Sequence, residues 1–252
     1  MKYYFLVSFL PEIHRDDKKI KVRLPELLSE RYLFADSDWS EIELLLLAGD
    51  ILQIERLLSG KDVDVEYTLY GRDFWKDQLK TPKEVPEFMA EVLDTLISEG
   101  STPRNLDRLY AAYYAYAIER THNAFLRAYL AFEKDLRNIV AAIRARRKGF
   151  PPSEYMVGEG DLVETLGRST AEDFGLSSEY PWIEKLTGAG GPVETVEVIQ
   201  QITWDTLDDM TEHLDFEFDV VLAYLLKLQM LERNLSLDKE KGMEMVRQLE
   251  GL

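Results

Sequence analysis

Two long stretches without glycine or proline constrain the fold of this chain more than any other feature. The first runs from residue 104 to residue 148, and its apolar side chains recur at steps of three and four residues, which marks one face of an amphipathic helix. Thr102 and Pro103 suit its N-terminus, and Gly149 suits its end. We therefore predict a continuous helix of about 65 Å, at about 1.5 Å per residue, with residues 122–123 as the place for a kink.

The second stretch, residues 193–241, predicts further helices. One extends over residues 193–210, a polar junction follows at 212–215, and the next helix begins at Phe218. Together the two stretches predict an all-α protein of long amphipathic helices. Its helix content should lie well above the roughly one-third that is typical of globular proteins.

Glycine and proline also divide this one helical protein, residues 1–252, into smaller pieces. Within the first piece, Gly49 and Asp50 are expected to interrupt a leucine-rich helix. Residues 62–67 alternate polar and apolar side chains, but a single strand-like segment does not predict a sheet. The four predicted pieces are residues 1–100, 101–149, 150–192 and 193–252.

The apolar run at residues 3–10 is too short to cross a bilayer, which takes about 20 residues. Pro11 and Glu12 follow it, where a signal peptide would have the small residues of a cleavage site. We expect this run to be a buried element of the fold. Its length does not decide between a strand and a helix.

The composition excludes several classes of partner and site. The 252 residues are 46% apolar, which is enough to form a core, and the net charge is −17. Such an acidic chain is not expected to bind nucleic acid or anionic lipid, and it favours partners with basic patches. The chain has no cysteine, which excludes disulfides and thiolate metal sites.

Motifs that could carry chemistry are few. His122 follows Glu119 at the spacing of di-iron helical bundles, but those need two such motifs and the sequence has one. The glycine-rich turn at 188–192 lacks the Lys and Ser/Thr of a phosphate loop. The acidic run at 205–219 lacks the pattern of a calcium loop and is interpreted as a solvated face or a surface for a basic partner. We expect no catalytic residue, cofactor or metal, with a carboxylate–histidine metalloenzyme as the alternative.

A faint internal repeat places an asparagine between an arginine and an aliphatic residue. It occurs at Asn138 and at Asn234, each late in a long predicted helix, and Gln53 lies in a weaker echo. Asparagine is a poor helix former and persists in a helix when its amide bonds a specific group, such as the end of a neighbouring helix. The alternative is that both asparagines are ordinary solvated residues.

These residues resemble a known family. Residues 125–139, with Arg144 and Arg146 after them, resemble the C subunit of V/A-type ATPases, in which an acidic residue, Asn-Leu or Asn-Ile, and a later Arg recur. Residues 218–235 resemble the last long helix of the same family. The opening, residues 3–11, is similar to a little-characterised bacterial family whose members are encoded beside V-type ATPase genes.

The resemblance implies an all-helical protein of three related bundles around a pseudo-threefold axis. It also implies a non-catalytic role at the cytoplasmic face of the membrane, without insertion into lipid. There the protein would join the central shaft to the membrane rotor ring, with other V/A-type ATPase subunits as its partners. A helical adaptor of another complex, which keeps only the fold, is the alternative.

A basic cluster stands out on this acidic chain. It consists of Arg144, Arg146, Arg147 and Lys148, at the end of the first glycine-free stretch. Cations stabilise a helix C-terminus, which is one explanation for the cluster. The other explanation is a docking patch for an acidic loop of the ring or the shaft.

Overall fold

The computed structural model describes residues 2–61, 63–100 and 102–250. Helices make up 67% of the chain, and the described residues contain no strand, which confirms the all-α prediction. Short 3-10 helices occur at Arg31–Leu33 and Pro152–Glu154. The α-helices of the described residues are α1 (Tyr4–Phe9), α2 (Leu24–Ser29), α3 (Asp36–Leu58), α4 (Arg72–Gln78), α5 (Glu87–Glu99), α6 (Pro103–Arg120), α7 (Ala124–Arg147), α8 (Asp161–Arg168), α9 (Ile183–Gly188), α10 (Pro192–Thr211) and α11 (Phe218–Glu250).

The chain forms two compact units. One comprises Met1–Trp39 and Gln200–Leu252, so the two ends of the chain fold together, and the other comprises Ser40–Ile199. The predicted pieces 101–149 and 150–192 both lie in the second unit, whereas piece 1–100 is divided between the two. The three bundles around an axis that the resemblance implies stay a prediction.

The second unit is built around consecutive packed helices. α5 packs on α6, α6 on α7, and α7 on both α8 and α9. Thr102 caps α6 as predicted, because its hydroxyl accepts a hydrogen bond from the backbone N–H of Asn105 (3.2 Å), and Pro103 begins the helix. The core therefore forms from helices that are close in sequence.

The first unit joins the N-terminal segment to the last helix. α2 packs against α11, and the buried Glu232 accepts a hydrogen bond from the backbone N–H of Leu24 (2.6 Å) at the start of α2. The predicted junction is confirmed, since α10 ends at Thr211 and α11 begins at Phe218.

The predicted continuous helix over residues 104–148 is wrong. The chain breaks between α6 and α7, at the place foreseen for a kink, and Thr121 is extended there with ψ at 132°. Asn123 then caps α7 by accepting a hydrogen bond from the backbone N–H of Leu126 (2.6 Å). The break thus ends α6 and begins α7, which has its own N-cap.

A buried carboxylate from α3 stabilises this break. Glu41 accepts hydrogen bonds from the hydroxyl of Thr121 (2.5 Å) and from the backbone N–H of His122 (2.9 Å). The second bond satisfies a backbone N–H that a continuous helix would otherwise have paired. The break therefore depends on a residue far away in the sequence, and no glycine or proline marks it.

The predicted interruption of α3 at Gly49 and Asp50 is also wrong, because the helix runs through both residues. A Cβ atom on Gly49 would lie 2.0 Å from the backbone oxygen of Tyr67. The glycine therefore serves the close approach of the loop that follows α3, and it does not make a turn.

The apolar run at residues 3–10 forms α1, and the expectation that it is buried is wrong for most of it. Tyr3 and Leu6 are buried, but Phe5 is 76% exposed and Phe9 is 84% exposed. The strand-like residues 63–67 are irregular, and Asp62 lies outside the described residues. No helix in the described part of the chain combines the length and the apolar character needed to cross a membrane.

Candidate functional site

Buried polar side chains on α3 hold the segment that follows this helix. Asp50 is fully buried and accepts hydrogen bonds from the backbone N–H groups of Leu69 (2.8 Å) and Tyr70 (3.0 Å) and from the indole N–H of Trp75 (2.7 Å). Burial raises the pKa of Asp50 to about 7, and the three N–H donors oppose that rise. The carboxyl group thus ties α3 to α4 and to the loop before it.

One turn further along α3, Gln53 binds the same loop. Its amide nitrogen donates to the carbonyl oxygen of Val63 (3.2 Å), and its amide oxygen accepts from the backbone N–H of Val65 (2.7 Å). The side chain is fully buried. Because both ends of the amide are paired with backbone groups, these bonds hold the loop at residues 63–65 against α3.

α7 carries a similar arrangement. Asp135 accepts a hydrogen bond from the hydroxyl of Tyr180 (3.1 Å). Three residues later, the buried Asn138 donates to the carbonyl oxygen of Val157 (3.0 Å) and accepts from the backbone N–H of the same residue (2.7 Å). An acid and an amide at this spacing therefore hold the segment that follows α7, as Asp50 and its neighbour do on α3.

Asn234 on α11 makes a different reciprocal contact. Its amide exchanges two hydrogen bonds with the side-chain amide of Gln200 on α10, at 2.5 and 3.1 Å, and both side chains are half-buried. Neither Asn138 nor Asn234 bonds the end of a neighbouring helix, which corrects that expectation. The internal repeat itself stays a prediction.

Arg146 of the basic cluster binds its own unit. The guanidinium group donates to the backbone oxygens of Ser169 and Ala171, and it lies 3.6 Å from the ring centre of Phe174. Phe174 has φ at 59°, a left-handed conformation that is unfavourable for a bulky residue. The stacked arginine therefore stabilises a strained turn.

The other three cations of the cluster differ in their contacts. Arg147 donates to the backbone oxygens of Leu186 (3.1 Å) and Thr187 (2.9 Å) in the last turn of α9. The side chains of Arg144 and Lys148 are exposed and form no hydrogen bond or ion pair with the described residues. Two arginines thus stabilise the fold, and two cations face solvent.

The motifs weighed for chemistry have the following surroundings in the described residues. His122 lies in the break after α6. The described residues contain no group of three acidic or histidine side chains that could hold a metal ion. In the glycine-rich turn, the backbone N–H of Gly190 donates to the carboxylate of Glu194 (2.6 Å). An internal anion therefore occupies the position that a phosphate would take at this helix start.

Two features of the structure could not be predicted from the sequence. Glu41 is buried on a leucine-rich helix, although charged side chains are seldom buried without a partner. The other feature is the set of exposed rings on α1, those of Tyr4, Phe5 and Phe9, because a short apolar run does not reveal which of its side chains are covered.

Known proteins related to this chain cover nearly its whole length. An uncharacterized protein of Chlamydia muridarum (strain MoPn / Nigg) is 23% identical over 266 residues, which cover 99% of this chain and 97% of the relative. No solved structure matches the chain. A family described as "Protein of unknown function (DUF2764)" matches residues 1–251. The chain therefore belongs to the DUF2764 family.

Proposed function

We propose that this protein is a non-catalytic helical subunit of a V/A-type rotary ATPase that couples the central shaft to the membrane rotor ring at the cytoplasmic face. The observation that carries the proposal is the resemblance of residues 125–139, in α7, and 218–235, in α11, to the C subunit of these ATPases. Asn138 and Asn234, which belong to that resemblance, each use both ends of the amide in polar contacts.

The way that α7 is joined to its neighbours supports a mechanical role. The helix is 24 residues long, and Asn138, Arg146 and Arg147 bind backbone groups of the segments that follow it. Loops that are held by buried side chains open and bend less easily than free linkers. A part that transmits torque needs this stiffness.

The charge of the chain supports docking through polar surfaces. The net charge is −17, so the exposed cations Arg144 and Lys148 form a local exception on an acidic protein. Charge-complementary contacts set register and specificity more than bulk affinity. In the proposed complex these two cations face an acidic loop of the ring or the shaft.

Affinity purification from native membranes tests the proposal. We expect the tagged chain, made at its natural level and purified in mild detergent, to bring down the catalytic, shaft and ring subunits in comparable amounts. An unrelated acidic helical protein with the same tag is the control. Deleting the chain should leave membranes that hydrolyse ATP but pump fewer ions. If no ATPase subunit co-purifies and pumping is unchanged after deletion, the proposal is wrong.

A helical adaptor of another complex is the second candidate. It is favoured by the internal contacts of Arg146 and Arg147, because groups already bound within the fold leave less basic surface for an acidic loop of the ring or shaft. The same purification separates the two functions. An adaptor would bring down a defined set of other proteins, and ATP-driven ion pumping would not depend on it.

A further inference from the structure

Helix α1 exposes aromatic side chains that the described part of the fold does not cover. Phe9 is 84% exposed, Phe5 76% and Tyr4 46%. Leaving a phenylalanine side chain in water forgoes the favourable free energy of burying it. Neighbouring exposed apolar side chains mark interaction sites more often than scattered single residues do.

These rings stand on an anchored helix. Tyr3, immediately before α1, is buried, its ring centre lies 5.5 Å from that of Phe218, and its hydroxyl bonds the carboxylate of Asp38. Its backbone N–H donates to the carbonyl oxygen of Phe216 (3.3 Å). These contacts fix the start of α1, so the outward side chains are presented by a held element.

Acidic side chains border the exposed rings. Tyr4 packs against Phe216 with 4.7 Å between ring centres, which places the exposed Asp215 and Glu217 beside α1. Glu217 accepts hydrogen bonds from the backbone N–H groups of Asp215 (2.8 Å) and Phe216 (2.9 Å), and these bonds lower its pKa and keep it ionised. Lys2, which precedes α1, is paired with Asp38 (2.8 Å), so the charge of this lysine is already balanced.

We propose that the α1 surface, which comprises Tyr4, Phe5, Phe9, Asp215 and Glu217, docks an amphipathic helical segment of another protein that carries apolar side chains flanked by lysine or arginine. The apolar side chains of the segment cover the rings. Its cations meet the two carboxylates, which give the contact its orientation.

The acidic border decides between this occupant and two others. An anionic bilayer surface would be repelled by Asp215 and Glu217. A second copy of this chain, in a two-fold contact, would bring the same two acids of both copies into one interface, where like charges repel. A basic segment of a partner protein satisfies both the rings and the charges.

This inference goes beyond the proposed role in a rotary ATPase, because it concerns a surface and a partner chemistry that do not depend on which complex holds the chain. The two tests are therefore separate. Absence of ATPase subunits after purification would leave the docking surface standing, and failure of the binding experiment below would overturn the docking surface alone.

Fluorescence anisotropy with designed peptides tests the surface on the full chain. The labelled peptide has about 18 residues, or five helical turns, with leucine on one face and lysine on the other. One control peptide has the same composition in an order without an apolar face, and another has glutamate for lysine. The protein variants are Phe5→Ser/Phe9→Ser, Asp215→Asn and the matched control Phe150→Ser, which removes a half-exposed ring from the other unit. Circular dichroism melts check that each variant folds.

We expect the amphipathic basic peptide to bind more tightly than both controls. Its Kd should rise about tenfold in Phe5→Ser/Phe9→Ser, about threefold in Asp215→Asn, and not at all in Phe150→Ser. Equal binding of the two lysine peptides, or wild-type binding by the double phenylalanine variant, would overturn the proposal. Binding of the wild-type protein, but not of this double variant, to phosphatidylserine vesicles would also overturn it if the peptide does not bind. A wild-type dimer that the double variant does not form would overturn it as well.

Discussion

The amide of Asn138 bonds both backbone groups of Val157 in the interior of the second unit, where neither group can turn to water. Asn138→Ala would leave a buried donor and a buried acceptor unpaired, which costs about 1–3 kcal/mol. We expect the melting temperature to fall by roughly 5 °C. Thermal unfolding followed by circular dichroism measures this change.

Asn234→Ala is the matched comparison. Its partner Gln200 is half-buried, so the amide of Gln200 can bond water once Asn234 is removed. We expect a loss below about 1 kcal/mol. Equal losses in the Asn138 and Asn234 variants would contradict the difference in burial on which this prediction depends.

The buried carboxyl group of Asp50 makes stability depend on pH. Burial raises its pKa from the ordinary 3.8 to about 7, so the folded state binds the proton more strongly than the unfolded state. The stabilising contribution of the protonated group is complete below about pH 4 and is lost as pH rises through about 7. Asp50→Asn does not titrate, so the stability of the wild type relative to this variant should fall by roughly 2 kcal/mol between about pH 5 and about pH 8.

Urea unfolding of both proteins at the two pH values measures this difference. The variant also controls for every other titrating group, because those groups are common to both proteins. In the wild type the backbone N–H of Leu69 donates a hydrogen bond to the carboxylate of Asp50. An asparagine amide that turns its own N–H group toward Leu69 loses this bond, and the variant then unfolds more easily than the wild type at both pH values. A stability difference that stays constant with pH would mean that the pKa of Asp50 is not raised.

The sequence reveals such residues only in part. Asn138 was singled out because a poor helix former stands late in a long apolar-faced helix. Its partner Val157 cannot be identified in this way, because the glycine- and proline-rich segment after α7 has no hydrophobic periodicity from which the position of a single residue could be predicted. The sequence predicts a helix interruption at Asp50 and not its actual role, because that role depends on donors that lie about 20 residues later in the chain.

At the scale of helices, the packing of the following loop against α3 depends on Gly49. A Cβ atom at this position would lie 2.0 Å from the backbone oxygen of Tyr67, and a backbone atom cannot move away as a flexible side chain can. We expect Gly49→Ala to destabilise the protein by about 3 kcal/mol, although alanine is the better helix former. Chemical denaturation measures the free energy of unfolding.

Gly188→Ala provides the control for this prediction. Gly188 is also helical, at the end of α9, and its added Cβ would meet no atom within 4 Å. We expect its free energy of unfolding to change by less than about 1 kcal/mol, in either direction. If Gly49→Ala were equally harmless, the loop after α3 could not be packed as closely as the structure has it.

Local sequence also explains why some helix ends were predicted and one was not. The start of α6 was foreseen because Thr102 and Pro103 carry their own capping chemistry. For the break after α6 the sequence predicts only a kink, because Glu41, which binds the hydroxyl of Thr121 and the backbone N–H of His122, lies about 80 residues earlier. A helix end that is stabilised by tertiary contacts does not need a glycine or a proline, so the local sequence does not mark it.

At the scale of the whole molecule, the all-α class followed from periodicity, but the grouping of the helices did not. The pairing of Met1–Trp39 with Gln200–Leu252 joins segments at opposite ends of the chain. Contacts such as that of Leu24 with Glu232 have no counterpart in any local pattern. The function proposed from the resemblance to a rotary ATPase subunit is tested by whether the chain assembles with other ATPase subunits. The fold alone does not test it.

The basic end of α7 allows folding and assembly to be tested apart. Arg146→Glu would remove the bonds to Ser169 and Ala171 and the stacking on Phe174, so we expect a loss of about 2–3 kcal/mol. Arg144→Glu/Lys148→Glu reverses only exposed cations, and the weaker interaction with the helix C-terminus should cost less than about 1 kcal/mol.

On the proposed function, the folded Arg144→Glu/Lys148→Glu variant should separate from the ATPase ring and shaft at lower salt than the wild type does, because it presents negative charge to an acidic loop. Purification from native membranes over a range of salt concentrations measures this, with Arg144→Gln/Lys148→Gln as the variant that removes charge without reversing it. We expect the neutral variant to lie between the other two. If all three proteins stay bound at the same salt concentrations, Arg144 and Lys148 do not touch a partner. The cluster would then serve the fold alone, through Arg146 and Arg147, and the ATPase contacts would have to lie on another surface of the chain.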